Sequence, residues 1–246
     1  MFALWASLSF AQNIQKIEKP YKMRHFGVYA GYNCSNIQNG ALDRLTDLQN
    51  AKYTTGGRYY GYKDFLRMNG FSGGIMAWNG KLFADFGFNI RKNEQTARFK
   101  DHANEFQTMQ ISMNSFHFGF GLNMSDPAHK VIISPGISFG MGKMIVKEIN
   151  YRTELDLPIP IAQREPIGVR DDSKNMSSFN ANATAFVNVM VGNIKRGPKI
   201  IIQPFVTLPF IQNDLTKAVY ANDIKVIDPA LKSRMTYWGI KVALAI

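Results

Sequence analysis

Among the residues of this 246-residue chain that could do chemistry, Ser115 and His117 have the most informative spacing. Residues two apart lie on the same face of a β-strand, so this pair could act as a nucleophile and its base. Such a pair also needs an orienting group. Asp85 is the only carboxylate in a nearby apolar segment, and we expect it toward the other end of the neighbouring strand. We therefore assign no catalytic residue and interpret His117 as a hydrogen-bonding residue of a protein interior.

The remaining motifs predict no cofactor and no metal site. The sequence Gly140-Met-Gly-Lys143 ends like a phosphate-binding loop, but Ile137 and Met144 stand where that loop needs Gly and Ser or Thr. The His, Cys, Asp and Glu residues show neither metal-ligand spacing nor a calcium-loop pattern. Cys34 is the single cysteine, and we interpret it as an unpaired loop thiol without an assigned role.

Eight segments of alternating residue character must position these side chains. Large apolar residues alternate with small or polar ones, which is typical of β-strands with two different faces. Of the 29 basic and 18 acidic residues, only Asp85 and Lys241 lie inside the segments. In the second segment large apolar residues occupy both sets of alternating positions, so its inward and outward faces cannot be assigned. The segments are Phe26–Tyr32, Phe71–Trp78, Leu82–Ile90, Ser115–Met124, Val131–Gly142, Phe179–Val191, Ile200–Phe210 and Tyr237–Ile246.

The face with small and polar residues is expected to point inward. A strand face in water normally carries Lys and Glu, whereas this face consists mainly of Gly, Ser, Asn, Thr and Ala, which suits the crowded interior of a small barrel. The large apolar residues would then face lipid, and closure of the sheet would pair the backbone groups. The alternative is a soluble barrel whose apolar face lines a cavity. No stretch has 18 uninterrupted apolar residues, so membrane-spanning helices are excluded.

Long and short connections alternate along the chain. This alternation is typical of outer-membrane barrels with short periplasmic turns and long extracellular loops. Asn79-Gly80 favours a two-residue hairpin, and Pro204 and Pro209 indicate a bulge or an early end of the seventh segment. The connections predicted to be long are 33–70, 91–114, 143–178 and 211–236.

The N-terminus is similar to the end of a secretory signal. Residues 1–11 are apolar and uncharged, and Ser9 and Ala11 are small residues suited to cleavage before Gln12. The alternative is an apolar N-terminal strand. We predict a signal peptide at 1–11, a periplasmic segment at 12–24 and a transmembrane barrel at 25–246.

Four stretches carry a resemblance to known proteins: Ser-Phe-Ala-Gln at 9–12, Phe26–Tyr32, Gln203–Phe210 and Trp238–Ile246. Through them the chain resembles the small eight-stranded outer-membrane proteins of Gram-negative bacteria, the OmpA/OmpX-like barrels, and most of all the PorT-like outer membrane protein beta-barrel families of Bacteroidetes. The resemblance implies residence in the bacterial outer membrane and insertion by the barrel-assembly machinery. Its members include adhesins, secretion-system parts and lipid-modifying enzymes, so the resemblance does not settle the function.

Five polar residues share the alternation of the small residues and are predicted to face the lumen. A charge in such an interior needs a partner, so Asp85 and Lys241 are candidates for one ion-pair network. A structural plug or gate is favoured over an ion pathway. The lumen candidates are Asp85, Lys241, His117, Asn89 and Asn123.

The net charge of +11 is expected mainly at the two ends of the barrel. A periplasmic basic rim of Lys195, Arg196 and Lys199 could meet phospholipid headgroups or a protein partner, with a merely solvated rim as the alternative. Four residues at the outer end are candidates for binding lipopolysaccharide phosphates. These are Arg91, Lys92, Lys143 and Lys147. No nucleic-acid partner is expected, because the chain has no motif for an aromatic stacking groove.

The sequence thus predicts an all-β chain that forms a single eight-stranded, up-and-down antiparallel transmembrane β-barrel with a filled lumen. Its role would be non-enzymatic, structural or in interactions of the envelope, through loops 33–69, 149–176 and 212–234 or through the basic turns. The alternatives are a small-solute pore, which eight strands disfavour, and a lipid-modifying enzyme that uses Ser115 and His117.

Overall fold

A computed structural model describes residues 24–54, 59–63, 65–79, 81–99, 106–124, 130–151, 174–192, 198–216 and 228–246. The predicted signal peptide (1–11) and nearly all of the segment 12–24 lie outside these residues, as does most of the predicted loop 149–176. No helix in the described ranges is both long enough and apolar enough to cross a membrane.

Eight long antiparallel strands form a closed barrel. Each strand pairs with its neighbours in sequence, and the first also pairs with the last, which closes the sheet. This confirms the predicted eight-stranded up-and-down barrel. The strands are β1 (Arg24–Gln38), β2 (Arg67–Asn79), β3 (Leu82–Phe99), β4 (Phe106–Leu122), β5 (Val131–Tyr151), β6 (Lys174–Val191), β7 (Lys199–Pro209) and β8 (Thr236–Ala245).

The segments that the sequence predicts carry most of their large apolar residues on the outside of the barrel. On β4, Phe118 is 52% exposed, whereas the adjacent His117 is 8% exposed. On β2, which the sequence cannot orient, Phe71 is exposed and Trp78 is buried inside. We call this outward apolar zone the belt. It comprises residues 26–32, 71–79, 82–90, 115–124, 131–142, 179–191, 200–210 and 237–246.

The inner face of the belt is crowded, which explains its small residues. A Cβ atom added at Gly121 would lie 2.4 Å from Cε1 of Phe83, and one at Gly136 would lie 2.6 Å from Cζ of Phe186. Real Cβ atoms do not approach other atoms this closely. Glycine at these positions therefore makes room for the large side chains that fill the lumen.

Several strands continue beyond the belt, which the sequence analysis did not predict. β3 extends to Phe99 instead of ending at Ile90, and β4 begins at Phe106 instead of Ser115. The connection predicted to be long at 91–114 is therefore mostly a paired hairpin. Cys34 likewise lies on β1, with an exposed side chain, and not in a loop. We call these extensions the collar. It comprises residues 33–38, 67–70, 91–99, 106–114, 143–151 and 174–178.

On β4 the collar has the reverse of the belt's residue pattern. Three of its inner side chains are apolar, those of Met109, Ile111 and Met113, and each is no more than 3% exposed. The residues between them, Gln110 and Ser112, are polar. A polar outer face and an apolar inner face are typical of a strand whose outer face meets water. This reversal explains why the predicted segment begins only at Ser115, whereas β4 begins at Phe106.

The helix α1 (Gly40–Thr54) closes the collar end of the barrel, where the sequence predicts only a loop. Asn39 caps the helix, since its Oδ1 accepts hydrogen bonds from the backbone N of Ala41 and Leu42 at 2.9 and 3.0 Å. Leu42 and Leu45 are 1% exposed and belong to the apolar core. The chain after β7 adds three fully buried side chains to this core, those of Leu215, Leu231 and Met235.

The two prolines of β7 act at different points. The ladder between β6 and β7 is interrupted at Pro204, between the paired positions Ile202 and Phe205, because proline has no backbone N–H. The register is the same on both sides of the interruption, so no bulge forms. Pro209 is the last residue of the strand.

Candidate functional site

The interior of the barrel has three layers along its axis. The end with the short hairpin between β2 and β3, which we call the turn end, is filled by the buried apolar residues Trp78, Phe83, Ile132, Met190 and Ile201. The collar end is filled by the apolar residues of the collar and of α1. Buried polar and charged side chains lie between these two layers. We call this middle region the polar layer.

A chain of hydrogen bonds crosses the polar layer from a cation to a carboxylate. Arg91 Nε donates to Asn33 Oδ1 at 2.8 Å, and Asn33 Nδ2 lies 3.5 Å from Asn89 Oδ1. Asn89 Nδ2 lies 3.0 Å from His117 Nδ1, and His117 Nε2 lies 3.2 Å from Asp85 Oδ2. With the amide of Asn89 oriented to donate to Nδ1, the ring proton of His117 lies on Nε2 and faces Asp85. Every group in the chain therefore donates toward Asp85.

Aromatic rings, and not carboxylates, lie against the two cations of the polar layer. Lys241 Nζ is 4.6 Å from the ring centre of Tyr29, whose hydroxyl oxygen lies 3.1 Å from His117 Nε2. Arg91 Cζ is 4.5 Å from the ring centre of Tyr237. Neither cation forms an ion pair with a carboxylate in the described part of the chain. The rings offset part of the desolvation of these cations.

A cavity of about 30 Å³ adjoins the hydrogen-bonded chain. This is room for one or two groups of the size of water. Asn182 Nδ2 and Asp85 Oδ1 are buried and have no hydrogen-bond partner among the described residues. The cavity can therefore hold a small polar species. Besides Asp85, His117, Arg91 and Lys241, its polar lining comprises Asn33, Asn89, Ser115, Ser138, Asn182, Thr184, Gln203 and Tyr237.

The structure brings four of the five lumen candidates to this cavity and leaves one apart. Asp85, Lys241, His117 and Asn89 all line it. Asp85 and Lys241 share the cavity without a direct ion pair, and Asp85 Oδ2 instead contacts His117 Nε2 at 3.2 Å. Asn123 lies at the turn end, where its Oδ1 accepts a hydrogen bond from Ser134 Oγ at 2.6 Å.

Ser115 and His117 line the same cavity but are not hydrogen-bonded to each other. Both ring nitrogens of His117 have other partners. The carboxylate that the sequence analysis places too far away is in contact with the ring, because Asp85 pairs with Gly119 and lies one diagonal step from His117. The geometry thus supplies a buried histidine–carboxylate contact without an activated serine.

Arg91 does not lie on the outer surface, which corrects its assignment to lipopolysaccharide. β3 continues past Ile90, so its alternation continues too, and Arg91 shares the inner face with Asp85. Its exposure of 6% leaves no access to lipid. Lys92 and Lys143 are exposed on the outside of the collar and Lys147 is half-buried there.

The structure describes one of the three residues of the predicted basic rim. Lys195 and Arg196 lie outside the described residues. Lys199 is 6% exposed, and its Nζ lies 5.3 Å from the ring centre of Trp78. Its side chain therefore points into the barrel at the turn end and not toward headgroups.

The sequence analysis did not single out several residues of the cavity, among them Tyr29, Asn33, Phe205 and Tyr237. A signal exists for two of them, because Tyr29 and Asn33 share the alternation of Gly27 and Gly31 on β1. Small and polar residues mark the inner face in the sequence analysis, so the large aromatic Tyr29 does not stand out, and Asn33 lies beyond the predicted end of its segment at Tyr32.

No known protein family matches the chain, and no curated protein matches it. Among solved structures, it is similar to Ail, the attachment invasion locus protein of Yersinia pestis, with 10% identity, a TM-score of 0.39 and coverage of 90% of this chain and 97% of Ail. Ail has also been solved in complex with the heparin analogue sucrose octasulfate. A second similar structure is the N-terminal beta-barrel domain of Pseudomonas aeruginosa OprF, with 9% identity, a TM-score of 0.36 and coverage of 90% and 97%. The resemblance to the PorT-like family is not confirmed.

Proposed function

We propose that this chain is a bacterial outer-membrane β-barrel protein with a structural or interaction role and no catalytic activity. The observation that carries the proposal is the belt. Large apolar side chains face outward on all eight strands, and both charged residues of the belt segments are buried inside. A soluble protein rarely exposes an apolar surface of this extent, whereas closed barrels expose one to lipid.

The height of the belt fits a bilayer. On β5 the exposed apolar residues extend from Val131 to Met141, which is about 33 Å of strand at about 3.3 Å per residue. A strand tilt of about 40° reduces this to about 25 Å, the height of the apolar band in outer-membrane barrels. The reversal of the pattern in the collar supports the same boundary, because the outer surface becomes polar where the belt ends.

A structural role is favoured over a pore because the lumen is filled. Apolar layers lie at the turn end and at the collar end, and the cavity between them is about 30 Å³. We expect planar-bilayer recordings of the folded protein to show no stable ion steps. Regular steps would support the small-solute pore instead.

The outside of the collar offers a surface for lipid phosphates. Lys92 and Lys143 are exposed just beyond the outward residues Ile90 and Met141 at the edge of the belt, and Lys147 lies four residues after Lys143 on the same face of β5. Lysine binds phosphate as a point charge. We expect a variant with all three lysines changed to Gln to retain less lipopolysaccharide through purification. Lys81 and Lys130 are exposed near the turn end, and their change to Gln provides the matched control.

A charged residue introduced on the outer face of the belt tests the membrane assignment itself. Val242 is 49% exposed near the middle of the belt on β8, and a lysine at a bilayer midplane destabilises a barrel by about 2–4 kcal/mol. Asn114 is exposed at the edge of the collar, where the same change should shift stability by about 0–1 kcal/mol. We expect Val242→Lys, but not Asn114→Lys, to lower the urea midpoint of protein folded into lipid vesicles.

Two results would contradict this assignment. One is equal stability of the Val242→Lys and Asn114→Lys proteins in vesicles. The other is a folded, monodisperse wild-type protein in buffer without detergent or lipid. Cell fractionation then tests the compartment, and folded barrel in the outer-membrane fraction, with heat-dependent migration in SDS gels, is the expected result.

A further inference from the structure

The polar layer contains more cations than carboxylates. Arg91 and Lys241 are 6% and 4% exposed, and Asp85, at 1%, is the carboxylate that lines the same cavity. The two cations and the one carboxylate sum to +1. An uncompensated charge in a protein interior is strongly unfavourable, because water can no longer solvate it.

We propose that the cavity of the polar layer binds one small monovalent inorganic anion of the size of chloride. This inference goes beyond the proposed envelope role, and it depends on the closed barrel and not on the surrounding lipid. One bound anion brings the charge of the layer to zero. It also occupies a space that the side chains leave open.

The lining of the cavity supplies unused hydrogen-bond donors. Asn182 is 3% exposed and its Nδ2 has no partner among the described residues. Lys241 also lines the cavity, and its ammonium lies 4.6 Å from the ring centre of Tyr29. The hydroxyl of Ser138, 7% exposed, also faces the cavity. A lysine ammonium, an amide N–H and a hydroxyl are the donors that an anion needs.

Water alone explains the lining less well than an anion does. Water could satisfy the donors of Asn182 and Lys241, but it would leave the net charge uncompensated. The volume of about 30 Å³ suits a halide and excludes a bulky organic anion. Since apolar layers lie on both sides of the cavity, the anion would enter while the barrel closes. Binding should therefore appear in the folding equilibrium.

The test is reversible urea unfolding in lipid vesicles, with chloride replacing gluconate at constant ionic strength. An anion bound only by the folded state raises the folding constant about tenfold for each tenfold rise in chloride above its dissociation constant. We expect this slope for the wild type and no slope for Lys241→Met, in which Arg91 and Asp85 balance each other. The matched control is Lys143→Met, which removes an exposed lysine and should keep the wild-type slope.

A wild-type slope of zero, or equal slopes in wild type and Lys241→Met, would overturn the proposal. If Lys241→Met does not fold, the wild type still decides the question. Protein refolded and crystallised in bromide should show an anomalous peak in the cavity beside Lys241. A cavity filled only by water, with no bromide peak there, would reject the anion site, whereas the membrane assignment would stand on the Val242→Lys comparison.

Discussion

Gly87 lies on the inner face of β3, where the barrel has no room for a methyl group. A Cβ atom at this position would lie 2.4 Å from the hydroxyl oxygen of Tyr29, 2.6 Å from the backbone oxygen of Gly73 and 2.9 Å from Cε1 of His117. Gly87→Ala must therefore move Tyr29, the neighbouring strand or both. Overpacking of this kind destabilises proteins by about 1–3 kcal/mol.

The displaced hydroxyl adds a second contribution. If Tyr29 loses its 3.1 Å contact with His117 Nε2, a buried polar group is left without a partner, which is unfavourable by about 1–3 kcal/mol. We therefore expect Gly87→Ala to lower the free energy of unfolding by about 2–6 kcal/mol. The assay is urea unfolding in lipid vesicles, followed by tryptophan fluorescence.

Two further variants make this prediction specific. A Cβ atom at Gly40 meets nothing within 4 Å, so Gly40→Ala should change stability by no more than about 0.5 kcal/mol. Removal of the clashing hydroxyl by Tyr29→Phe should make the Gly87→Ala, Tyr29→Phe double variant more stable than the sum of the single effects predicts. If Gly87→Ala is as stable as Gly40→Ala, the lumen has space to spare and the argument from crowding is refuted.

Two more predictions concern the polar layer and the helix. Asp85→Asn should destabilise the protein by about 3–5 kcal/mol, because it leaves two buried cations without a carboxylate. Lys241→Met should have a smaller effect, because Asp85 keeps its contact with His117. Equal urea midpoints for the two variants would contradict the charge count. The side chain of Leu42 is 1% exposed, so Leu42→Ala should destabilise the docking of α1 by about 2–5 kcal/mol. Amide hydrogen exchange should become faster in α1 and stay unchanged in the belt. An equal increase in exchange in α1 and in the belt would show that α1 does not open independently.

The belt could be predicted because one physical rule governs all of it. An apolar outer surface and a narrow lumen require opposite residue types on successive positions, as at Phe118 and His117. The same rule predicted the inward position of Asp85 and Lys241. The rule does not apply beyond the belt, so the sequence analysis assigns Arg91 to the outer surface. Arg91 nevertheless lies two residues after Asn89 and therefore on the same inner face of β3.

Contacts across strands and the helix could not be predicted in the same way. The contact between Asp85 and His117 depends on a register that a single strand does not encode. The helix α1 lies in a polar stretch, where Leu42 and Leu45 acquire their core only when Leu231 and the collar surround them. Their burial is a property of the closed barrel and not of the local sequence.

In the proposed membrane setting, the change of residue pattern between Ser112 and Phe116 on β4 also sets the depth at which the barrel is immersed. Because belt and collar share uninterrupted strands, no hinge or linker adjusts this depth after folding. Substitutions on the outer face alone could shift the boundary between belt and collar by two residues, with every backbone pairing retained. Immersion depth and strand pairing can therefore vary independently in such a chain.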